Sequence, residues 1–379
     1  MNRLFSYFKD YFSETTRPTA KNLFLILLAI LTLDTFRSMR FAHRHVISKM
    51  TNTSLNAFYY TLQTDSLEHL SWNDVTTKKA LSVVPEQFDS QPLFLSIDDT
   101  LIEKFGKKFE CSSKLFDHAA HNGSNFLNGH CMISLLLSFP VSLDGKMKYL
   151  SIPLGYRLWD KSKSKLALVA EMVEQVLKVI GTDRQVILLC DSWYPKAEII
   201  ELIEHYDNLH LICNVRNDTV LYDLPPKSTG KRGRPRKRGE RLSLEQFALS
   251  EPKHGEYLLG TRQVITNLWK NKIVSAIVTL PKKGKGSYRL FLSTIAPKEI
   301  SMNQEWCQEG NFCPYAKGIS KTKKRPVTQI VKMAFTFRRK SNVIRFRLLT
   351  TYLERRSLLS VSKVRIADRK TELETKKSL

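Results

Sequence analysis

The chain has no Cys-x-x-Cys pair, no secretory leader, no internal repeat of useful length and no apolar run fit to cross a bilayer. Each absence removes a class of protein. The six cysteines (Cys111, Cys131, Cys190, Cys213, Cys307, Cys313) are scattered, which gives neither a disulfide framework nor a zinc spacing and fits reduced thiols in a cytoplasm. The longest apolar run, residues 23–33 (LFLILLAILTL), falls well short of the roughly 20 residues of a spanning helix, so it reads as a buried helix. Hydrophobic residues at 42%, aromatics at 10% and charged residues at 25% exclude wholesale disorder, a collagen-like repeat and a coiled coil. What is scarce is negative charge. Only 36 Asp+Glu face 60 Lys+Arg, leaving +24 on 379 residues, so a polyanion such as nucleic acid is the leading partner and an anionic membrane surface the second.

That length suffices for two domains, or one with a large insertion. Residues 1–88 read as a small helical domain: apolar runs alternate with polar breaks, Thr53 or Ser54 caps one helix, and Ser71 or Asn73 caps another. The pattern then changes. Residues 93–97 (LFLSI) form a short apolar run, as expected of a buried strand, and strand-like runs follow at 132–141 and 149–159. Residues 165–180 place apolar side chains at helical spacing and end at Gly181, a C-cap residue. A strand at 186–190, a helix at about 195–206 and a strand at 209–215 complete the series. Three strands, a helix, a strand, a helix and a strand is the element order of a ribonuclease-H-like α/β core, although other three-layer α/β folds share it. Residues 216–255 shift to Pro, Gly, Lys and Arg, a solvated or DNA-contacting segment. A β-rich stretch follows at 256–265, 272–280 and 287–295, with Gly284-Lys285-Gly286 as a turn. The last 79 residues hold 19 Lys+Arg against 6 Asp+Glu and show no amphipathic pattern.

Two places could carry chemistry. Ile97-Asp98-Asp99-Thr100 puts carboxylates at the C-terminal end of an apolar strand, and Leu189-Cys190-Asp191-Ser192 repeats that arrangement. Acids at the ends of neighbouring strands suit hard divalent cations, and a pair of such ions about 3.5–4 Å apart supports phosphodiester transfer. Taken singly, each Asp could be an N-cap or turn residue. Side chains alternate along a strand, so Asp98 and Asp99 point to opposite faces; one is the main ligand and the other bonds a backbone amide or a basic neighbour. The segment Lys231, Arg232, Gly233, Arg234, Pro235, Arg236, Lys237 and Arg238, flanked by Lys227 and Arg241, has the form of an AT-hook able to enter a minor groove. Read as a solvated charge run, it would still attract phosphates. Asp117, His118, His121 and His130 read as structural rather than as a metal cluster. Trp193 and Trp269 are candidates to stack on a displaced base, with Trp269, in a polar turn, the better placed.

These motifs, with Gly129-His130, residues 153–159 (PLGYRLW) and residues 290–294 (LFLST), resemble the cut-and-paste DDE transposases of bacterial insertion sequences, over roughly residues 50–300. The resemblance implies a ribonuclease-H-like core with a β-rich insertion. It also implies two Mg²⁺ ions, with Mn²⁺ as a substitute, and strand nicking and strand transfer on double-stranded DNA by a homodimer at the nucleoid, with no membrane role. Matching the Asp-Thr pair makes Asp99 the first catalytic and metal-binding acid, with Asp98 beside it, and Asp191 the second. The implied domains are 1–88 for DNA-end recognition, 89–215 for catalysis, 216–297 for the basic loop and β-rich insertion, and 298–379 for a basic tail. The family's third acid lies in a Tyr-x2-Arg-x3-Glu-x6-Lys helix, which this chain lacks; Glu305, Glu309 and Glu354 stand in its window without the flanking residues. A tail translated out of frame would explain both this loss and the excess of positive charge. The alternative is a catalytically inactive or repurposed DNA-binding protein.

Overall fold

The computed structural model describes residues 2–67, 70–106, 109–117, 123–143, 145–226, 236–250, 257–269, 272–282 and 287–297. They fall into two compact units, one ending at Leu70 and the other beginning at Ser71. The tail, and with it Glu305, Glu309, Glu354 and the question of its reading frame, lies outside the described residues.

The first unit is helical: α1 (Asn2–Phe8), α2 (Arg17–Thr32), α3 (Met39–His45) and α4 (Leu55–Gln63). Most of the apolar run at 23–33 is buried in α2, where Leu23 to Ile26, Leu28, Ala29 and Ile30 pack with Phe36, Met39, Ala42, Ile47, Phe58 and Leu62, while Leu31 is exposed. Thr16 starts α2 by accepting from the Thr19 amide at 3.5 Å, with Pro18 in the first turn, where a missing N–H costs no helical bond. Ser38 caps α3 by accepting from the Phe41 amide at 3.1 Å. Inside the core, Asn22 donates to the Thr61 hydroxyl at 2.9 Å, which satisfies a buried amide.

The second unit opens with α5 (Trp72–Ser82), so the helical run at the start of the chain is divided between the two units. Its strands are β1 (Leu93–Glu103), β2 (Ser113–Phe116), β3 (Phe126–Leu143), β4 (Lys146–Trp159), β5 (Val186–Cys190), β6 (Leu209–Val215), β7 (Leu221–Tyr222), β8 (Arg241–Leu242), β9 (Tyr257–Thr266), β10 (Ile273–Pro281) and β11 (Arg289–Ser293). Two further helices are α6 (Lys165–Ile180), between β4 and β5, and α7 (Ala197–His205), between β5 and β6. Among the described residues the strands make one sheet ordered β2-β3-β1-β5-β6-β11-β10-β9-β7-β8, with β4 also paired to β3. β1 runs antiparallel to β3 and parallel to β5, and β5 runs parallel to β6, as a ribonuclease-H-like core requires. The β-rich segment continues that sheet directly, since β11 pairs antiparallel with β6. β2 escapes the sequence because only Leu115 of its four residues is buried, which leaves no apolar run to read.

Leu93, Leu95 and Ile97 of β1 pack with Val186 and Leu188 of β5 beneath α6 and α7, whose Val169, Met172, Val173, Val176 and Ile199 complete that core. Phe94 joins Ile187, Leu189, Ile212 and Phe291 in a second cluster, the alternation expected of a strand apolar on both faces. Gly181 takes φ +80° to close α6, a conformation that a side chain would strain. Gly129 is needed for space instead: a Cβ there would lie 2.2 Å from the Ile102 carbonyl oxygen, where β3 lies against β1. Met172, 2% exposed, fixes α6 to this sheet. Met172→Ala should cost about 2–5 kcal/mol, read as a lower urea midpoint with an unchanged slope; an unshifted midpoint would mean that α6 is not packed as described.

Candidate active site

β1 is buried from Leu93 to Ile97 and becomes half-buried from Asp98 onward, so its charges begin where the strand leaves the core. Its parallel neighbour β5 is buried throughout and stops at Cys190, so Asp191 opens the turn that follows. The last paired residues of the two strands are Ser96 and Leu189, and two residues further each chain reaches Asp98 and Asp191. The three aspartates thus share the carboxyl-terminal edge of adjacent parallel strands, where open α/β sheets place their sites.

Asp99 has cross-strand partner Ile133 and shares the helix-covered face with Ile97. Its Oδ2 accepts from Lys165 Nζ at 2.5 Å and from Cys131 Sγ at 3.3 Å. Lys165 is the first residue of α6, behind the N-cap Ser164, which accepts from the Ala167 amide at 2.9 Å. A cation at a helix N-terminus opposes the helix dipole, so its position there is set by Asp99 and by the rings of Trp159 and Trp193, 5.0 and 5.4 Å away. Burial pulls the Lys165 pKa down, but the hydrogen bond and charge of Asp99 outweigh it, and the net shift is upward. Burial and the Asp99 charge push the Cys131 thiol up to about 12. The basic neighbour was expected on the acid that is not the main ligand; it sits on Asp99 because α6 covers that face.

Asp191 is exposed, and its Oδ1 accepts from the Trp193 amide at 2.9 Å. The turn buries Tyr194, 1% exposed, whose hydroxyl has no hydrogen-bond partner. Burial first, then the charges of Asp99, Asp98 and Asp191, hold its pKa far above the ordinary phenol value. Trp193 is 39% exposed, with Lys196 Nζ 4.2 Å from its ring. Trp269 proves to be core, 2% exposed; its polar flanks concealed a short 3₁₀ turn that drives the indole inward, so Trp193 is the accessible one. Behind the site, Cys190 and Cys213 are register partners on β5 and β6. The neighbouring Cys213 thiol, ahead of burial, raises the Cys190 pKa, while Cys213 Sγ itself donates to the Leu292 carbonyl at 3.7 Å.

His130 is buried with Nε2 against the Glu110 carbonyl at 2.8 Å, and desolvation lowers its pKa, the signature of a structural histidine. Asp117 is buried too, while His118 and His121 lie outside the described residues. Among the described residues no three His, Cys, Asp or Glu side chains form a metal-binding group. Of the basic segment, residues 231–235 lie outside the described residues. Arg236 pairs with Glu240 at 3.2 Å, Lys237 is exposed, and Arg238 lies 3.9 Å from the Tyr222 ring centre and donates to Asn267 Oδ1 at 2.9 Å. Among the described residues no helix is long and apolar enough to cross a membrane.

The sequence did not single out Lys165, Cys131 or Tyr194. A lysine directly after a capping serine was the one available signal, because the dipole rule makes it anomalous.

A mixed sheet of this strand order, with acids at the carboxyl edge of its central parallel pair, is a ribonuclease-H-like nuclease fold. The chain belongs to the DDE superfamily endonuclease family, whose model matches residues 8–272, and is thus a DDE transposase-like protein. No curated protein matches the chain. The family implies DNA as substrate, and its nucleases generally use divalent metal ions. The donors here fit such an ion: carboxylate oxygens suit a hard cation, and the orphaned Tyr194 hydroxyl marks the edge as a place built for a polar occupant.

Iodoacetamide at pH 8 should label Cys111, which is exposed, and spare Cys131 and Cys190 in the native chain. With its pKa at about 12, Cys131 has a thiolate fraction on the order of 10⁻⁴ at that pH. Peptide mapping reads the outcome, and rapid labelling of Cys131 would contradict the site as described.

Proposed function

We propose that the chain is a DNA transposase that nicks insertion-sequence ends and transfers the strands to target DNA, with Asp99 and Asp191 as its first two catalytic acids and Asp98 beside them. What supports this reading is the position of the three aspartates at the carboxyl-terminal edge of the parallel pair β1 and β5, beginning two residues beyond its last pairing. Asp99 and Asp191, assisted by Asp98, would hold the divalent cations, Mg²⁺ or Mn²⁺. When bound, that pair of ions activates the attacking oxygen and stabilises the leaving one. The chain's own residues do the rest. Lys165 neutralises Asp99 until a cation competes for the same oxygen, and the burial of Ile97 and Cys190 behind the acids keeps water from the rear of the site.

In this reading the helical N-terminal domain, residues 1–88, recognises transposon ends, residues 89–215 carry the chemistry, and residues 216–297 form the basic loop and β-rich insertion. Residues 231–238 grip the DNA backbone, and two copies act together on a pair of ends. The second reading, an inactive or repurposed DNA-binding protein, is favoured by one feature: no Tyr-x2-Arg-x3-Glu-x6-Lys signature follows the Leu-Ser-Thr strand. Both readings keep the DNA grip; only the first keeps the nick.

Asp191→Asn should reduce Mg²⁺-dependent nicking of supercoiled DNA to background while leaving salt-sensitive DNA binding nearly unchanged. Equal nicking by this variant would refute the site, and wild-type binding without nicking would establish the second reading. Replacing Lys231, Arg232 and Arg234 by Gln should weaken binding across sequences and make log affinity fall less steeply with log salt, by about 0.9 for each phosphate no longer neutralised. Filter binding over a salt series measures it; an unchanged slope would remove this segment from the interface.

A further inference from the structure

Trp193 stands two residues after Asp191, in the turn that leaves β5, and its amide donates to Asp191 Oδ1 at 2.9 Å. Tyr194 and Pro195, which follow, are buried and anchor the turn, while Trp193 itself is 39% exposed. An indole left open in an anchored turn keeps apolar surface in water, at a cost that a polar residue there would not carry. Two ammonium groups lie beside the ring, Lys196 Nζ at 4.2 Å and Lys165 Nζ at 5.4 Å from its centre. The same Lys165 Nζ is 2.5 Å from Asp99 Oδ2, so the ring is one ammonium away from the first acid as well as two residues from the second. Lys196 is the N-cap of α7, where a cation opposes the helix dipole and a lysine has no acceptor with which to cap. Its place over the indole is therefore not explained by the helix. Trp159 bounds Lys165 on another side, 5.0 Å away, but its indole N–H is spent on the Lys163 carbonyl at 2.8 Å and its ring packs against the core. Of the two indoles, Trp193 is the open one.

This setting suits an unpaired nucleotide. A base has a π-face to stack on the indole, its phosphate offers a negative charge to a lysine, and stacking of this kind tolerates any base. A base within a duplex is already stacked on both faces, so it must leave the helix before it meets the ring. Lys196 is exposed, and moving its ammonium from the ring to a phosphate uncovers no core. We propose that Trp193 is a DNA-binding residue of the acidic edge, whose indole stacks on an unpaired base of the strand lying at Asp99 and Asp191, with Lys196 on the phosphate beside that base. The inference rests on the reading that these acids face the reacting DNA. It assigns Trp193 no part in breaking bonds.

The test uses the full chain in EDTA, so that no strand is cut, with two duplexes of one sequence: one fully paired, the other with a short gap that leaves thymines unpaired. 5-Iododeoxyuridine in place of a gap thymine couples on irradiation to an aromatic ring stacked on it, and peptide mapping should find the crosslink at Trp193. Trp193→Ala should lose that crosslink and bind the gapped duplex about 5- to 150-fold more weakly, the worth of one base–aromatic stack, so that its advantage over the paired duplex disappears. Trp193→Phe, which keeps a ring, should retain the crosslink and most of the affinity; a loss shared equally by both variants would point to the fold of the turn and overturn the proposal. Lys196→Gln should make log affinity for the gapped duplex fall less steeply with log salt, by about 0.7 for one single-strand phosphate, and an unchanged slope removes the lysine from the contact. If Asp191→Asn abolishes nicking in Mg²⁺ but no crosslink reaches Trp193, the acids stand and the inference alone falls. If Asp191→Asn nicks like wild type, the acids are misassigned and the inference falls with them.

Discussion

The parallel pairing of β1 with β5 is the constraint on which the rest of the second unit depends. Both strands are buried on both faces, so neither tolerates a charge along its paired length, where an isolated carboxylate would carry a large desolvation cost. The chain therefore changes from apolar to acidic at the point where the pairing ends. Because the strands run the same way, both changes occur at the same edge, and Asp98, Asp99 and Asp191 are all brought to it although Asp191 lies a helix and several strands away in sequence. An antiparallel pairing of the same two strands would have sent the acids to opposite ends of the sheet.

A second balance follows. Asp99, half-buried on the helix-covered face, is paired with Lys165 rather than left to solvent alone. Lys165 sits against the helix dipole, partly desolvated, between two indoles, and is held by one oxygen of Asp99. The ion pair neutralises Asp99 at the point where β1 leaves the core. Tyr194, in the turn after β5, is buried near the same acids, and burial and their charges keep its phenol protonated. The exposed neighbours, Trp193 and Lys196, present an apolar ring and a charge on the outside of this cluster.

The acids were legible in the sequence because both signals are local: a short apolar run, then Asp. The helix at 165–180 and the strands at 186–190 and 209–215 were equally plain, since periodicity and a C-cap glycine act over a few residues. The polar flanks of Trp269 suggest exposure, whereas the 3₁₀ turn there directs its side chain inward from a polar segment. β7 and β8, two residues each, carry no periodicity at all and exist only because β9 offers an edge to β7.

The sequence by itself determined the order of helices and strands, the apolar-to-acidic change at Asp98, Asp99 and Asp191, and the basic character that suits DNA. Hydrophobic spacing and net charge suffice for these. Only the tertiary structure decided that Lys165 rests on Asp99, that Cys131 shares the same oxygen, that Tyr194 is buried beside the acids and that Trp193 rather than Trp269 is open to solvent. Those contacts join residues tens of positions apart through the face on which α6 packs and the turn that follows β5. That choice of face is a property of packing, which no local pattern records.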